Sequence, residues 1–122
     1  MTTTDLAAAL EPVRGYATDP NNTPKPERKV LKEAVKRSVG EVGVRAPGHS
    51  VELRVPPYAA VQCIDGPRHT RGTPPNVVEM SPVVWLRLAL GLQSFADALS
   101  TGDITASGNR ATEVGKHLPI VR

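Results

Sequence analysis

One segment, residues 82–92, constrains the fold of this chain more than any other. Its sequence, PVVWLRLALGL, places large apolar residues at nearly every position and carries a single charge, Arg87. Wound as an α-helix at about 100° per residue, these side chains point in nearly every direction. A helix that is apolar all round has to be covered on all sides. In a chain of 122 residues a sheet can cover one side, and the other side needs a second cover.

The residues on either side of this segment set the limits of the helix. Ser81 is a suitable N-cap, and Pro82 stands at the first helical position, where a missing N–H costs nothing. Gly91 is predicted to end the helix in a left-handed conformation. A second, shorter helix is predicted after it, because Ser94 and Asp97 have the spacing of a capping box.

The remaining elements are predicted from the period of the apolar residues. Residues 27–42 repeat apolar side chains at helical spacing opposite a charged face, which predicts an amphipathic helix. Residues 51–55 alternate as a half-buried strand does, and residues 58–64 are apolar on both faces except at Gln62, which indicates a central strand. Shorter strands are predicted over 67–73, 76–80 and 103–107. This order of elements predicts an α+β domain with a mainly antiparallel sheet.

The N-terminal segment differs in composition from the rest of the chain. Residues 1–17 contain a short helix that Pro12 would bend or end, and residues 18–26, TDPNNTPKP, have the composition of a linker. We therefore divide the chain into an N-terminal helix with a proline-rich linker, residues 1–26, and one folded domain, residues 27–122. The first helix is expected to be held loosely or to pack on the outside.

Composition narrows the classes of function. The formal net charge is +3, and no apolar run approaches the ~20 residues that a membrane span requires. The chain has one cysteine, Cys63, and no visible signal peptide, which together indicate a cytoplasmic location. The sequence shows no aromatic stacking platform and no nucleic-acid-binding motif, so nucleic acid is not an expected partner.

No catalytic or metal-binding motif stands out. His49, His69, His117 and Cys63 lack the spacing of metal ligands, and Cys63 lies in an apolar strand, where it is expected to be a small buried hydrophobe. Neither G-x-x-x-x-G-K-[ST] nor G-x-G-x-x-G occurs, which argues against a nucleotide site. We therefore predict no enzyme activity, no metal and no cofactor.

The stretch PRHTRG, residues 67–72, is the best candidate for binding a charged group. Arg68, His69 and Arg71 stand beside a turn and could hold an anionic head group, either a carboxylate or a phosphate. The same charges could instead keep an exposed strand edge from pairing. The basic face of the helix at 27–42 could lie against an anionic membrane surface, or it could be an ordinary helix face exposed to water.

The sequence pattern leaves open what covers the second side of the apolar helix. The following short helix, a partner subunit or an apolar ligand could each do so. Ordinary core packing is the simpler interpretation of any single apolar residue here, whereas the set as a whole favours a ligand. The expected lipid-binding wall residues are Val84, Leu88, Leu92, Phe95 and Leu99.

Spaced glycines and aliphatic residues form a longer pattern over the C-terminal half. A helix with tryptophan or leucine ends in glycine, a second short helix follows, and an I-x-x-x-G segment leads to a closing helix. The positions that carry it are Trp85, Leu86, Gly91, Ala96, Asp97, Ala98, Gly102, Ile104, Gly108 and Leu118. With the upstream stretch VELRVPPYAAVQCIDGPRHTRGTPPNVVEM, this order resembles the sterol carrier protein type 2 family, in its bacterial, chiefly actinobacterial branch. The resemblance covers residues 46–121.

This resemblance implies a five-stranded sheet flanked by helices, with an apolar tunnel between sheet and helices. It further implies a non-catalytic carrier that binds a fatty acid, an acyl-CoA, a sterol or a phospholipid. The alternative from another class is an interaction module, in which the same apolar surface binds a protein partner without a ligand. The sequence leaves the oligomeric state open.

Overall fold

The computed structural model describes residues 3–66 and 76–121. The helices are α1 (Thr3–Leu10), α2 (Arg14–Thr18), α3 (Arg28–Arg45), α4 (Pro82–Ala89) and α5 (Phe95–Ser100). The strands are β1 (Val51–Val55), β2 (Ala59–Cys63), β3 (Val77–Glu79) and β4 (Thr105–Ser107). Short 3-10 helices cover Glu11–Val13 and Ala111–His117. No helix in the two described ranges is long and apolar enough to cross a membrane.

The strands form a mixed sheet in the order β2-β1-β3-β4. The predicted α+β class is confirmed, but the described residues contain four strands instead of about five, and β1 pairs with β3 in parallel. In this order β3 lies on the far side of β1 from β2 and runs in the same direction as β1, so the chain crosses from one side of β1 to the other between β2 and β3. The strand predicted over 67–73 lies outside the described residues.

The β1–β2 hairpin and α3 form the two layers of the domain. In β1, Val51, Leu53 and Val55 are buried while Glu52 and Arg54 are partly exposed, as the alternation predicted. Helix α3 packs on β2 and β1 with its apolar face, and its charged face lies towards solvent. β2 was expected to be central, but within the described parts of the chain it pairs only with β1. Its apolar character instead serves the contact with α3.

The N-terminal helices belong to the core. Leu6, Leu10, Val13 and Ala17 are at most 1% exposed, and α1 packs against α3 while α2 packs against α4. The expectation of a loosely held first helix is therefore wrong. The signal was present in the sequence, because these four residues repeat at the three- and four-residue spacing of one helix face. The boundary after residue 26 stays a prediction.

Helix α4 lies at the centre of these contacts, and most of its apolar surface is covered by the protein itself. Val84, Trp85, Leu86 and Leu88 are all buried, and α2 and α3 both pack against the helix. The indole Nε1 of Trp85 donates a hydrogen bond of 2.8 Å to the hydroxyl of Ser38, which is also fully buried. Much of the apolar pattern is thus explained by core packing.

Both ends of α4 are fixed by local and distant contacts. Ser81 accepts a hydrogen bond from the N–H of Val84 at 3.4 Å, as expected of an N-cap. At the other end, the N–H groups of Ile120 and Val121 donate to the carbonyl of Ala89 at 2.8 and 3.0 Å. These bonds satisfy a carbonyl that a helix end leaves without an intrahelical partner. They also hold the closing segment of the chain against α4.

Candidate functional site

A cavity of about 680 Å³ opens beside the C-terminal end of α4. Three parts of the chain line it: the end of α4 with the turn after it, the start of α5, and the second 3-10 helix with the closing segment. The volume lies within the ~300–1,000 Å³ that is typical of small-molecule sites. The cavity is therefore large enough to hold a ligand.

The interior of this cavity is apolar. Its large apolar lining residues are Leu88, Leu90, Phe95, Leu118 and Pro119. Leu88 and Leu90 are 1% and 3% exposed and form the floor, whereas the other three are partly exposed and form the walls. A surface of this kind favours alkyl groups, because the contact removes apolar area from water.

A glycine sets the position of one wall. A Cβ atom added at Gly115 would lie 2.9 Å from Cγ of Phe95 and 3.1 Å from its Cβ. The absence of a side chain at Gly115 therefore allows the phenyl ring to rest against the backbone of the 3-10 helix. This contact brings α5 and the 3-10 helix together on one side of the cavity.

Polar groups form the rim. The Gln93 side chain accepts a hydrogen bond from Arg87 at 3.3 Å and donates to Asp103 at 3.4 Å, which holds the α4–α5 turn. Ser94 caps α5 by accepting a hydrogen bond of 3.0 Å from the N–H of Asp97. The remaining polar lining residues are Thr112 and Lys116.

Lys116 is the charged lining residue of the rim, and it pairs with a carboxylate that does not itself line the cavity. Its Nζ lies 3.2 Å from Oε1 of Glu113, and the side chain of Lys116 is 73% exposed. On its other oxygen, Glu113 pairs with Arg110 at 3.2 Å, and Arg110 also donates to the carbonyl of Asp65 at 2.7 Å. The hydrogen bond from Lys116, and then the charge of Arg110, lower the pKa of Glu113. Glu113 therefore stays ionised beside both cations.

A second cavity, of about 660 Å³, is lined by other residues of the same 3-10 helix, Glu113 and His117. Its charged lining residues are Asp65, Arg110 and Glu113, and His117 lies beside them. Two carboxylates offset the cationic character of this cavity, and Arg110 is already engaged by both Asp65 and Glu113. It is therefore a weaker candidate for ligand binding than the cavity beside α4.

The structure brings together only some of the expected wall residues. Leu88 and Phe95 line the cavity beside α4, whereas Val84, Leu92 and Leu99 do not. Val84 is buried in the core, and Leu92 and Leu99 are 41% and 36% exposed. Leu92 leaves the helix face because α4 ends at Ala89 and the chain then turns. Leu99 lies on the outer side of α5, where Ala98 makes the buried contact instead.

The expected head-group residues Arg68, His69 and Arg71 lie outside the described residues, and their role stays a prediction. A cation that the sequence analysis did not select, Lys116, lies at the rim instead. It carried no recognisable motif. Its place follows from the packing of the second 3-10 helix on the sheet and α3, which no local pattern encodes.

Cys63 offers no reactive group to either cavity. The side chain is fully buried, and burial raises the pKa of its thiol from 9.0 to about 11. Next to Cys63 in β2, Oε1 of Gln62 lies 2.6 Å from Nδ1 of His49. Among the residues that the structure describes, no group of three or more His, Cys, Asp or Glu is placed to hold a metal ion. Cys63 is thus a core residue, as its apolar surroundings in the sequence suggested.

The raised thiol pKa makes a prediction about chemical reactivity. Near pH 8, alkylation of Cys63 by iodoacetamide is expected to be at least about a hundredfold slower in the folded protein than in guanidinium chloride, since thiolate is the reacting form. Mass spectrometry of timed, quenched samples measures both rates. Comparable rates in the two conditions would show that the strand opens readily and that the thiol is available for chemistry.

These features define a class of protein: an α+β domain with an apolar cavity built from two helices and the closing segment of the chain. A family model described as "Bacterial SCP ortholog" matches residues 27–120. Because the match covers well over half of the chain, the chain belongs to this bacterial sterol carrier protein-like family. The resemblance stated from the sequence is confirmed. A comparison with curated proteins found no match.

Proposed function

We propose that this protein is a non-catalytic lipid carrier that holds a fatty-acyl or other lipid ligand in the cavity beside α4. The apolar floor of Leu88 and Leu90, with the walls of Phe95, Leu118 and Pro119, carries the proposal. Each CH₂ group buried there contributes roughly 0.8 kcal/mol to binding. Membership of a sterol carrier protein-like family supports a carrier function. The candidate ligands are a fatty acid, an acyl-CoA, a sterol and a phospholipid.

The chemistry of the cavity favours binding over catalysis. Its interior offers alkyl and aromatic surface, and the one cysteine of the chain is buried with its thiol protonated at neutral pH. A ligand held by apolar contacts is released without breaking a covalent bond, as a carrier requires. We place this activity in the cytoplasm, where a single unpaired cysteine is stable in its reduced form.

An occlusion variant tests the proposal. Ala96 is exposed and lines the cavity, so Ala96→Trp is expected to fill the space and weaken ligand binding by at least about tenfold, while stability changes by no more than about 0.5 kcal/mol. Titration with a fluorescent fatty acid measures the affinity. Ala8→Trp, at an exposed position of α1 that does not line the cavity, is the matched control. Equal binding by both variants contradicts the cavity assignment.

Native mass spectrometry of the freshly purified protein, followed by organic extraction, tests the proposal without a chosen ligand. A bound fatty acid or phospholipid supports a carrier. A ligand-free mass, together with no binding of the fluorescent fatty acid, contradicts the proposed carrier function.

The second candidate function is an interaction module. Its supporting observation is the exposure of two leucines, Leu92 in the turn between α4 and α5 and Leu99 in α5. Exposed leucines of this kind favour contact with a protein partner. A ligand-free protein that associates in a concentration-dependent way, and whose association is lost in Leu92→Ser, favours this function over the carrier.

A further inference from the structure

We propose that Lys116 makes the cavity beside α4 selective for amphiphiles with one alkyl chain and an anionic head group, a carboxylate or a phosphate. Neutral lipids with the same chain then bind more weakly. This inference rests on the proposed carrier function, since it assigns the head-group end of the same cavity. It concerns a residue of the 3-10 helix that follows β4.

The lining of the cavity changes from apolar at the floor to charged at the rim. Its floor consists of Leu88 and Leu90, which are nearly fully buried, whereas Lys116 lies at the rim with most of its side chain in solvent. A ligand with its chain on the floor therefore has its polar end near the ammonium group. Among the described residues that line this cavity, Lys116 is the one cation and none is acidic. The charge of the lining is thus complementary to an anion.

Two hydroxyl groups of the same lining supply hydrogen-bond donors in addition to the ammonium group of Lys116. The hydroxyl of Ser94 accepts from the N–H of Asp97 and so keeps its own proton to donate. Thr112 adds a second hydroxyl to the same lining. Gln93 contributes less, because Arg87 and Asp103 already engage its amide. An ammonium and two hydroxyls suit the oxygens of a carboxylate or phosphate.

Lys116 can exchange its present ion-pair partner for a ligand at little cost in free energy. Its pairing with Glu113 is an exposed ion pair, a kind that contributes little to stability. When Lys116 turns to a ligand, Glu113 keeps Arg110 on its other carboxylate oxygen. No carboxylate is left unpaired. Glu113 therefore holds Lys116 at the rim in the absence of a ligand and competes with an anionic head group for it.

The test compares three ligands that share one alkyl chain: dodecanoate, dodecyl phosphate and dodecanol. Isothermal titration calorimetry of the full chain, near neutral pH and at low salt, measures each Kd. We expect both anions to bind about fivefold more tightly than the alcohol, as suits an exposed cation. In Lys116→Gln this preference is lost while the affinity for dodecanol is unchanged. Lys32→Gln, which removes an exposed lysine of α3 away from the cavity, keeps the preference.

A second variant tests the competition by Glu113. In Glu113→Gln, Lys116 loses its anionic partner, so the affinity for dodecanoate is expected to rise about two- to threefold while that for dodecanol stays constant.

The comparison of the two anions also identifies the head group. If only dodecanoate or only dodecyl phosphate binds more tightly than dodecanol, that anion is the one recognised, and either result supports the proposal.

The two proposals fail in different ways. If none of the three ligands binds, a carrier function for single-chain lipids is overturned. If all three bind with equal affinity, or if the preference for anions survives in Lys116→Gln, the carrier function stands and the role of Lys116 is overturned. Loss of dodecanol binding in Lys116→Gln also contradicts the proposal, since it would show a structural effect on the cavity.

Discussion

Replacing Leu10 with alanine is expected to lower the free energy of unfolding by about 2–5 kcal/mol, the range for removal of a fully buried leucine side chain. Leu10 is 1% exposed and ends α1, which packs against α3. The substitution leaves a cavity that the surrounding helices fill only in part. Denaturation by guanidinium chloride, followed by circular dichroism, measures the change.

The same substitution at an exposed site is the control. Leu92 is 41% exposed, so Leu92→Ala is expected to change stability by no more than about 0.5 kcal/mol. Equal effects of the two substitutions would show that α1 is not part of the cooperative core.

A shortened chain extends this argument to the domain boundary. The family model begins at residue 27, so residues 27–120 contain the matched region without α1 and α2. A chain of residues 27–122 is expected to lose its cooperative thermal transition, because Leu6, Leu10, Val13 and Ala17 no longer cover α3 and α4. An unchanged melting temperature would instead establish residues 27–122 as an independent domain.

Replacing Trp85 with alanine is expected to cost about 3–5 kcal/mol of stability, the highest range for a single core substitution. Trp85 is fully buried in α4, and its indole N–H is bonded to Ser38. Because Trp85 is the only tryptophan of the chain, the variant has to be followed by circular dichroism instead of fluorescence. A loss below about 1 kcal/mol would contradict its central position in the core.

A double-mutant cycle separates the hydrogen bond from the packing. The Ser38 hydroxyl accepts a hydrogen bond from the indole N–H of Trp85 and donates one of 2.6 Å to the carbonyl of Ala34. Both its acceptor and its donor are therefore paired inside the core. Ser38→Ala and Trp85→Phe are expected to be coupled by about 1 kcal/mol, since either change alone removes the same bond. Strict additivity would show that this bond contributes nothing to stability.

Local features of the fold could be predicted from the sequence because neighbouring residues encode them. Ser81 and Ser94 cap α4 and α5, and Gly91 adopts a φ of +74° after α4 ends. The alternation in β1 gave the buried face correctly. By contrast, the parallel pairing of β1 with β3 depends on the path of the chain between distant strands, which periodicity does not record.

The candidate site was only partly predictable for the same reason. Leu88 lies in the apolar segment 82–92 and Phe95 in the short helix predicted after it, and both line the cavity. Lys116 reaches the cavity through the packing of its 3-10 helix on the sheet and α3, and Leu118 comes from a segment held by bonds to Ala89, about thirty residues earlier in the chain. Helical spacing within one segment carries no information about such a contact. Leu92 does not line this cavity, because the helix period that placed it there ends at Ala89.

The two hydrogen bonds from Ile120 and Val121 to Ala89 also link the shape of the cavity to the local stability of the closing segment. Leu118 and Pro119 line the cavity and directly precede Ile120, so a local opening that breaks these two bonds also releases one wall. The carbonyl of Ala89 at the end of α4 then has water as its partner. Local unfolding of the closing segment and opening of the cavity are therefore one event.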